Sequence, residues 1–377
     1  MRHKILFLSS WYPNRLEPTN GNFVQRHAES VATKHDVQVI HAIGDPNLST
    51  KLVLEDNTIN GIRTLMVFYK NTKNPVINFL RRMKAYQRAF KKIEKPELVH
   101  ANVLHNNLLF AVYLKKRFKI PFVVTEHWTM LQTENQHKAG APLLKVAKII
   151  AAQAEMILPV SQNLLQGLKK LGIMTPMKVI SNVVDTDVFT INNQNNTQNI
   201  RFLHVSSLVP RKKAPQIISV AKKLHDNGFR FQLEIGGDGD FLSLQKQIVA
   251  LNAEEFITTF GPITYQEVAT KMQHSDCFIL FSENETQGCV ILESLACGKP
   301  VISTKVGGVP EFVKEGFGIL IPENDEQALY ESMAKVIQNS VNFAPPQDLR
   351  NYVVSNFSVA SIAHQFDEVY DQILKKV

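Results

Sequence analysis

Three observations predict an α/β chain built as two consecutive doubly wound domains. Short apolar strands alternate with helical stretches along the whole sequence. The alternation is interrupted once, at TINNQNNTQN (190–199), an Asn-rich stretch with little to bury, and then restarts. The 377 residues, 44% hydrophobic and 20% charged, suffice for two domains of ordinary size with real cores. The expected division is 1–189 and 190–357, with a C-terminal helix over about 358–377 packing back on the first domain.

The strands are taken in order. In the first half they are KILFLSS (4–10), VQVIHAI (37–43), LVHA (98–101), PFVVTEH (121–127), MILPVS (156–161) and KVISNVV (178–184). The second half offers IRFLHVSS (200–207), FQLEIGG (231–237), ITTFGPI (257–263), CFILFS (277–282), PVIST (300–304) and GILIP (318–322). The N-terminal apolar run, Ile5 to Leu8, is shorter than the roughly 7–15 residues of a signal peptide and reads as a buried first strand. No apolar stretch approaches the roughly 20 residues that span a bilayer. Cys277, Cys289 and Cys297 form no Cys-x-x-Cys pair and lie in apolar surroundings, which fits small core residues in a reducing cytoplasm.

The net charge of +8 is unevenly distributed. Residues 1–190 hold 26 Lys and Arg against 13 Asp and Glu, and the remainder holds 16 against 21. Such a split implies two domains with different partners. FLRRMKAYQRAFKKIEKPE (79–97) carries seven of the basic residues and a single acid before Pro96. Leu80, Met83, Phe90 and Ile93 recur at helical spacing, which predicts a solvated helix with one packed face. The same stretch is a candidate for docking on an anionic membrane surface. It contains no nucleic-acid recognition module.

Ligands of doubly wound sheets bind outside the carboxyl ends of the strands, so the cleft between the domains is the expected site. After the first strand, Gly21 lets a backbone approach a phosphate ahead of a helix beginning near Phe23. After the first strand of the second half, Arg211, Lys212 and Lys213 stand where a diphosphate would suit them. Cations at a helix start oppose its dipole unless an anion offsets them. GGDGD (236–240) places Gly237 at a strand-to-helix turn. ENETQGCVILESLACGKPV (283–301) holds two carboxylates. Glu285 precedes a helix that starts near Gly288, ends at Gly298 and is followed by Pro300. Glu293 lies inside the helix among Val290, Ile291, Leu292 and Leu295, where a carboxylate needs either an ion-pair partner or a ligand.

Glu285 and Glu293 form a Glu-x7-Glu pair, and ETQGCVILESLACGKPVISTKVGGVPE (285–311) resembles the donor-site signature of the family 4 retaining glycosyltransferases of the GT-B fold. VVTEHWTM (123–130), PVSQNLLQGL (159–168), VISNVVDTDVF (179–189), LVPRKKAP (208–215), GGDGD and FGPI (260–263) resemble further segments of that family, in order along nearly the whole chain. The resemblance implies two Rossmann-like domains facing across a cleft. It implies Glu293 on the nucleotide ribose, Glu285 on the transferred sugar, and the backbone around Gln287, Gly288, Cys289 and Val290 on sugar and phosphate oxygens. Lys213, with Arg211 or Lys212, would neutralise the diphosphate. Ile263 would contact the base, Gly21 the diphosphate, and His127 the reacting sugar.

The family's Gly-Phe-Gly is Thr286-Gln287-Gly288 here, and its arginine before the basic loop is Ser207. The implied reaction is transfer of a hexose-type sugar, with retention, from a nucleotide-diphosphate donor to a glycan or lipid-linked acceptor. UDP is the first expectation for the donor and GDP the second. A sugar-nucleotide epimerase and a membrane-docked, non-catalytic nucleotide-binding module are the alternatives. No metal or cofactor is expected, because Asp185-Thr186-Asp187 and Asp238-Gly239-Asp240 both read as turns.

Overall fold

The computed structural model describes residues 2–192 and 199–375, so residues 193–198 of the expected linker lie outside the described residues. The chain forms two compact units, Met1–Val183 with Val359–Val377, and Val184–Ser358.

The first unit is built on seven strands: β1 (Lys4–Ser9), β2 (Asp36–Asp45), β3 (Leu52–Ile59), β4 (Ile62–Lys70), β5 (Leu98–Asn102), β6 (Phe122–Glu126) and β7 (Met156–Pro159). Their order is β3-β4-β2-β1-β5-β6-β7, all parallel except the β3–β4 hairpin. Parallel strands covered on both faces read as continuous apolar runs, and Ile5 to Leu8 of β1 are buried. The strand order reverses between β1 and β5, which opens a crevice at their carboxyl ends. There Ser9 is level with His41 and Asn102.

The helix Val359–Leu374 belongs to this unit. Its Ile362, Phe366 and Tyr370 enter the core that contains Ile5, Phe7 and Val24. Ser30 Oγ donates to the carbonyl of Val359 at 2.8 Å, and the Tyr370 hydroxyl and His100 Nδ1 are 2.5 Å apart.

The second unit holds β8 (Ile200–Ser206), β9 (Phe231–Gly237), β10 (Ile257–Phe260), β11 (Cys277–Leu280), β12 (Val301–Thr304) and β13 (Gly318–Ile321). All are parallel, in the order β10-β9-β8-β11-β12-β13, with the reversal between β8 and β11. This is the order of a dinucleotide-binding doubly wound sheet.

The structure departs from the sequence expectations in four places. KVISNVV (178–184) is not a strand. Lys178 and Ile180 donate to the carbonyls of Ile157 and Pro159, but Pro159 has no N–H to return, and the ladder stops there. The hairpin β3–β4 was not anticipated. It turns at Asn60 and Gly61, whose φ values of 48° and 79° suit a tight two-residue turn. Residues 184–189 belong to the second unit: Val184 and Phe189 join its core, and the Arg350 guanidinium donates to the carbonyls of Thr186 and Phe189.

The fourth departure is the basic stretch. Its helix is Pro75–Phe90, and its buried face is Ala85, Tyr86 and Ala89. Leu80, expected to pack, is 54% exposed alongside Val76 and Ile77. No helix among the described residues is long and apolar enough to cross a membrane. Cys277 and Cys297 are buried free thiols, and burial pushes Cys297 up to about 12.

His204 ties the switch point of the second sheet from within. Its Nδ1 lies 2.9 Å from the Ile279 carbonyl on β11 and its Nε2 2.8 Å from Ser206 Oγ. Burial lowers its pKa to about 4. A base depressed on folding contributes stability that is present above the ordinary value of 6.5 and is lost as pH falls through 4. Denaturant titrations of the wild type and His204→Gln between pH 7 and pH 4 are expected to show the wild type losing roughly 3 kcal/mol more than the variant. Parallel losses would contradict this assignment.

Candidate active site

Arg211, Lys212, Lys213, Glu285, Gln287 and Gly288 lie on the loops that leave β8 and β11. β8 ends at Ser206, and the chain runs through a short 3-10 turn, Pro210–Lys212, into the helix Ala214–Asp226. β11 ends at Leu280, and the chain runs through 281–288 into the helix Cys289–Ala296. The two loops are bound together. Lys212 Nζ pairs with Glu285 Oε1, both side chains being buried. The N–H of Glu283 donates to the carbonyl of Arg211 at 2.9 Å, and Arg211 Nη1 donates to the carbonyl of Asn284 at 3.3 Å. Lys213 lies 3.1 Å from Glu283 and donates to Asn324 Oδ1.

Lys213 adopts φ 50°, a left-handed conformation that a non-glycine residue keeps only where its surroundings hold it. Its ammonium is thereby fixed at the N-terminus of the helix Ala214–Asp226. Lys212 and Lys213 are paired with Glu285 and Glu283, and the helix end with the Arg211 guanidinium favours an anion beside them. The loop bearing Glu285 is anchored from the other side as well. Gly308 N–H donates to the carbonyl of Glu285 at 3.2 Å, and Thr304 Oγ1 bonds the backbone of Ser282.

Gln287 is fully buried, and Gly288, at φ 76°, turns the chain into the helix that carries Cys289, Val290 and the buried Glu293. Gly237 has a reason that precedes any ligand: a Cβ there would lie 2.0 Å from the Ser206 carbonyl oxygen. It lets β8 and β9 close. Ile263 is half-buried in the loop that leaves β10, two strands along from β8. The loop ends at a capping box made by Thr264 and Glu267.

In the first unit, Gly21 and His127 come together through their neighbours. Gly21, at φ 79°, lies against the backbone of Trp11, and a Cβ would be 2.4 Å from the Trp11 carbonyl carbon. The Phe23 ring lies tilted at 4.4 Å from the His127 ring, and Trp11 meets Trp128 edge-on at 6.2 Å. His127 is buried, and desolvation holds its pKa well below the ordinary histidine value, so it is a neutral imidazole. Among the described residues its Nε2 has no hydrogen-bond partner. Such a nitrogen suits a hydroxyl.

Glu126 was missed by the sequence reading. It is fully buried, and its Oε1 accepts from the N–H groups of His127 and Trp128 at 2.8 and 2.7 Å. Its Oε2 accepts from Leu104 N–H at 2.6 Å. One carboxylate therefore clamps the loop after β5 to the loop after β6, and burial pushes its pKa up to about 7. A glutamate closing the apolar run PFVVTE was the available signal.

The two Asp-x-Asp strings serve the backbone. Asp185 Oδ1 accepts from the N–H groups of Asp187 and Val188, and Asp240 caps the helix Phe241–Ala250. Among the described residues no group of three or more His, Cys, Asp or Glu gathers as a metal site would require.

Residues 21–188 match the model of Glycosyltransferase Family 4, and residues 186–356 match Glycosyl transferases group 1. An uncharacterized glycosyltransferase of Methanocaldococcus jannaschii is 28% identical over 64% of this chain and 66% of its own length, so the chain spans just under two thirds of that relative. The putative teichuronic acid biosynthesis glycosyltransferase TuaC of Bacillus subtilis is 23% identical over 99% of both chains. The structure of Anabaena HepE in complex with UDP-glucose superposes with a TM-score of 0.75 at 21% identity, covering 98% of this chain and 100% of that one. Two family models that together cover most of the sequence place this chain among the family 4 glycosyltransferases of the GT-B fold.

Proposed function

We propose that this chain moves a hexose-type sugar from a nucleotide-diphosphate donor, UDP first, to a glycan or lipid-linked acceptor in cell-surface polysaccharide synthesis. The observation that carries the reading is the locked pair of loops at the β8–β11 switch point, with Lys212 held on Glu285 and Lys213 fixed at a helix N-terminus. In this reading Arg211 and Lys213 take up the charge that grows on the leaving diphosphate, which is electrostatic stabilisation built in before reaction. No metal is then required for that step. Glu285 orients the sugar hydroxyls and Glu293 the ribose. Gln287, Gly288, Cys289 and Val290 line the sugar and phosphate oxygens, Ile263 meets the base, and Gly21 and His127 act from the first unit. The reaction retains configuration by attack from the donor's own face, with a donor phosphate oxygen accepting the acceptor proton. The name of TuaC supports a polysaccharide product, and the UDP-glucose held by HepE supports a uridine donor.

A panel of nucleotide sugars in a thermal-shift assay identifies the donor, since a ligand that binds only the folded state raises its stability. With that donor, Glu285→Gln is expected to lose transfer to acceptor by about a hundredfold or more, the scale of removing one group that stabilises the transition state. Conversion of the donor to an epimer without acceptor would contradict the reading. So would full transfer by the variant.

Membrane docking is proposed at the start of the helix Pro75–Phe90, where exposed Val76, Ile77 and Leu80 stand beside Lys73 and Lys84. Apolar side chains ringed by cations suit an anionic interface. Sedimentation is expected with anionic vesicles and not with neutral ones. Equal binding to both would remove the proposal.

A further inference from the structure

Arg82 is a half-buried cation held by neutral groups. Its Nε donates to the Tyr69 hydroxyl at 2.9 Å, and its Nη1 donates to Asn106 Oδ1 at 3.1 Å and to Asn107 Oδ1. All three partners are neutral. Among the described residues no carboxylate pairs with it, whereas Arg15 at the same edge of the sheet is held by Asp45 and Glu55. Arg350, another half-buried arginine with neutral partners, donates to three carbonyls, one of them Ala296 at the carboxyl end of the helix Cys289–Ala296. A helix dipole favours a cation there. Arg82 has the reverse: Asn106 and Asn107 open the 3-10 turn that leads into the helix Leu109–Phe118, so its charge faces the positive end. A cation in that position calls for an anion.

The surroundings belong to the switch point of the first sheet. The Asn106–Asn107 turn follows β5 directly. Val103 in between adopts φ 67°, a genuine outlier for a β-branched residue. Glu126 holds the N–H of the next residue, Leu104. His41 and Asn102 lie level with Ser9 across this edge and are buried. Among the described residues His41 Nε2 and Asn102 Oδ1 have no partner. A donor or acceptor left so is costly unless a ligand meets it. Among the described residues Arg82 Nη2 makes no bond, and its charged N–H groups can donate to a phosphate oxygen.

We infer that Arg82, with the Asn106–Asn107 turn, is a subsite for a phosphate group of the acceptor, the neighbouring His41 and Asn102 meeting hydroxyls beside it. This deepens the proposed function, since it rests on the reading that the first unit takes the acceptor. A phosphorylated sugar or polyol and the phosphate head of a lipid share this chemistry.

The test uses the full chain with UDP present to occupy the diphosphate loops of the second unit. Trp11 and Trp128 are its two tryptophans, and Trp128 lies 6.0 Å from the His105 ring, so tryptophan fluorescence reads this neighbourhood. Glycerol 3-phosphate is titrated in one arm. Phosphatidylcholine vesicles with and without phosphatidic acid are titrated in the other.

Saturable binding is expected in at least one arm, weakened about tenfold or more in Arg82→Gln and partly restored in Arg82→Lys. The arm that responds identifies the source. In the wild type, protection of Arg82 from phenylglyoxal by the same probe, read by peptide mass spectrometry, gives the answer even where Arg82→Gln fails to fold. Binding that is absent in both arms, or equal in wild type and folded Arg82→Gln, overturns the inference. The test involves no sugar transfer, so Arg82-dependent phosphate binding in a chain that transfers no sugar keeps this site while removing the transfer reading.

Discussion

The buried pair of Lys212 and Glu285 is the constraint on which the second unit's site depends. Taking two charges out of water costs several kcal/mol per ion before their attraction offsets it, so a buried pair is weak as a device for stability. It is strong as a device for position. The loops that leave β8 and β11 have no sheet to hold them, and this pair, together with the Glu283–Arg211 backbone bond and the Arg211 guanidinium on the Asn284 carbonyl, makes them one body. The strain of Lys213 at φ 50° then becomes tolerable, because its ammonium is caught by Glu283 and Asn324. Pre-organised cations act on a charged ligand without reorganising when it reacts.

The first unit reaches a similar end by a different means. The loops after β5 and β6 are joined by one carboxylate, Glu126, that accepts three backbone N–H groups. The loop after β5 carries the strained Val103, and the loop after β6 carries the neutral, buried His127. Both units thus spend a buried acid on fixing loops at the carboxyl ends of a doubly wound sheet, where the fold leaves a crevice.

Much of this was legible in the sequence, for physical reasons that also explain what was not. Strands of a parallel sheet are buried on both faces and announce themselves as apolar runs, which is why FLHV and CFIL were plain. The edge strand β3, LVLEDNTI, is half polar and gave no such run, although Asn60-Gly61 marked its turn. KVISNVV looked like a strand because Ile180 and Val183 are buried, but the proline that ends its partner's ladder lies on β7, outside the segment. Most residues proposed for the donor cluster in two short stretches, 211–213 and 285–293, and ion pairs join those stretches in the structure. Glu126 was hidden because its partner Leu104 is 22 positions away, and Arg82 because nothing in a run of basic residues distinguishes it from its neighbour Arg81.

The cations fixed beside the Lys212–Glu285 pair are proposed as the seat of a diphosphate. Calorimetric titration of UDP and of uridine monophosphate into the wild type and Lys213→Ala measures this. UDP is expected to bind the wild type about tenfold or more tightly than the monophosphate, with a narrower gap in the variant. Equal affinity of the two nucleotides for the wild type, or an undiminished gap in Lys213→Ala, would contradict it.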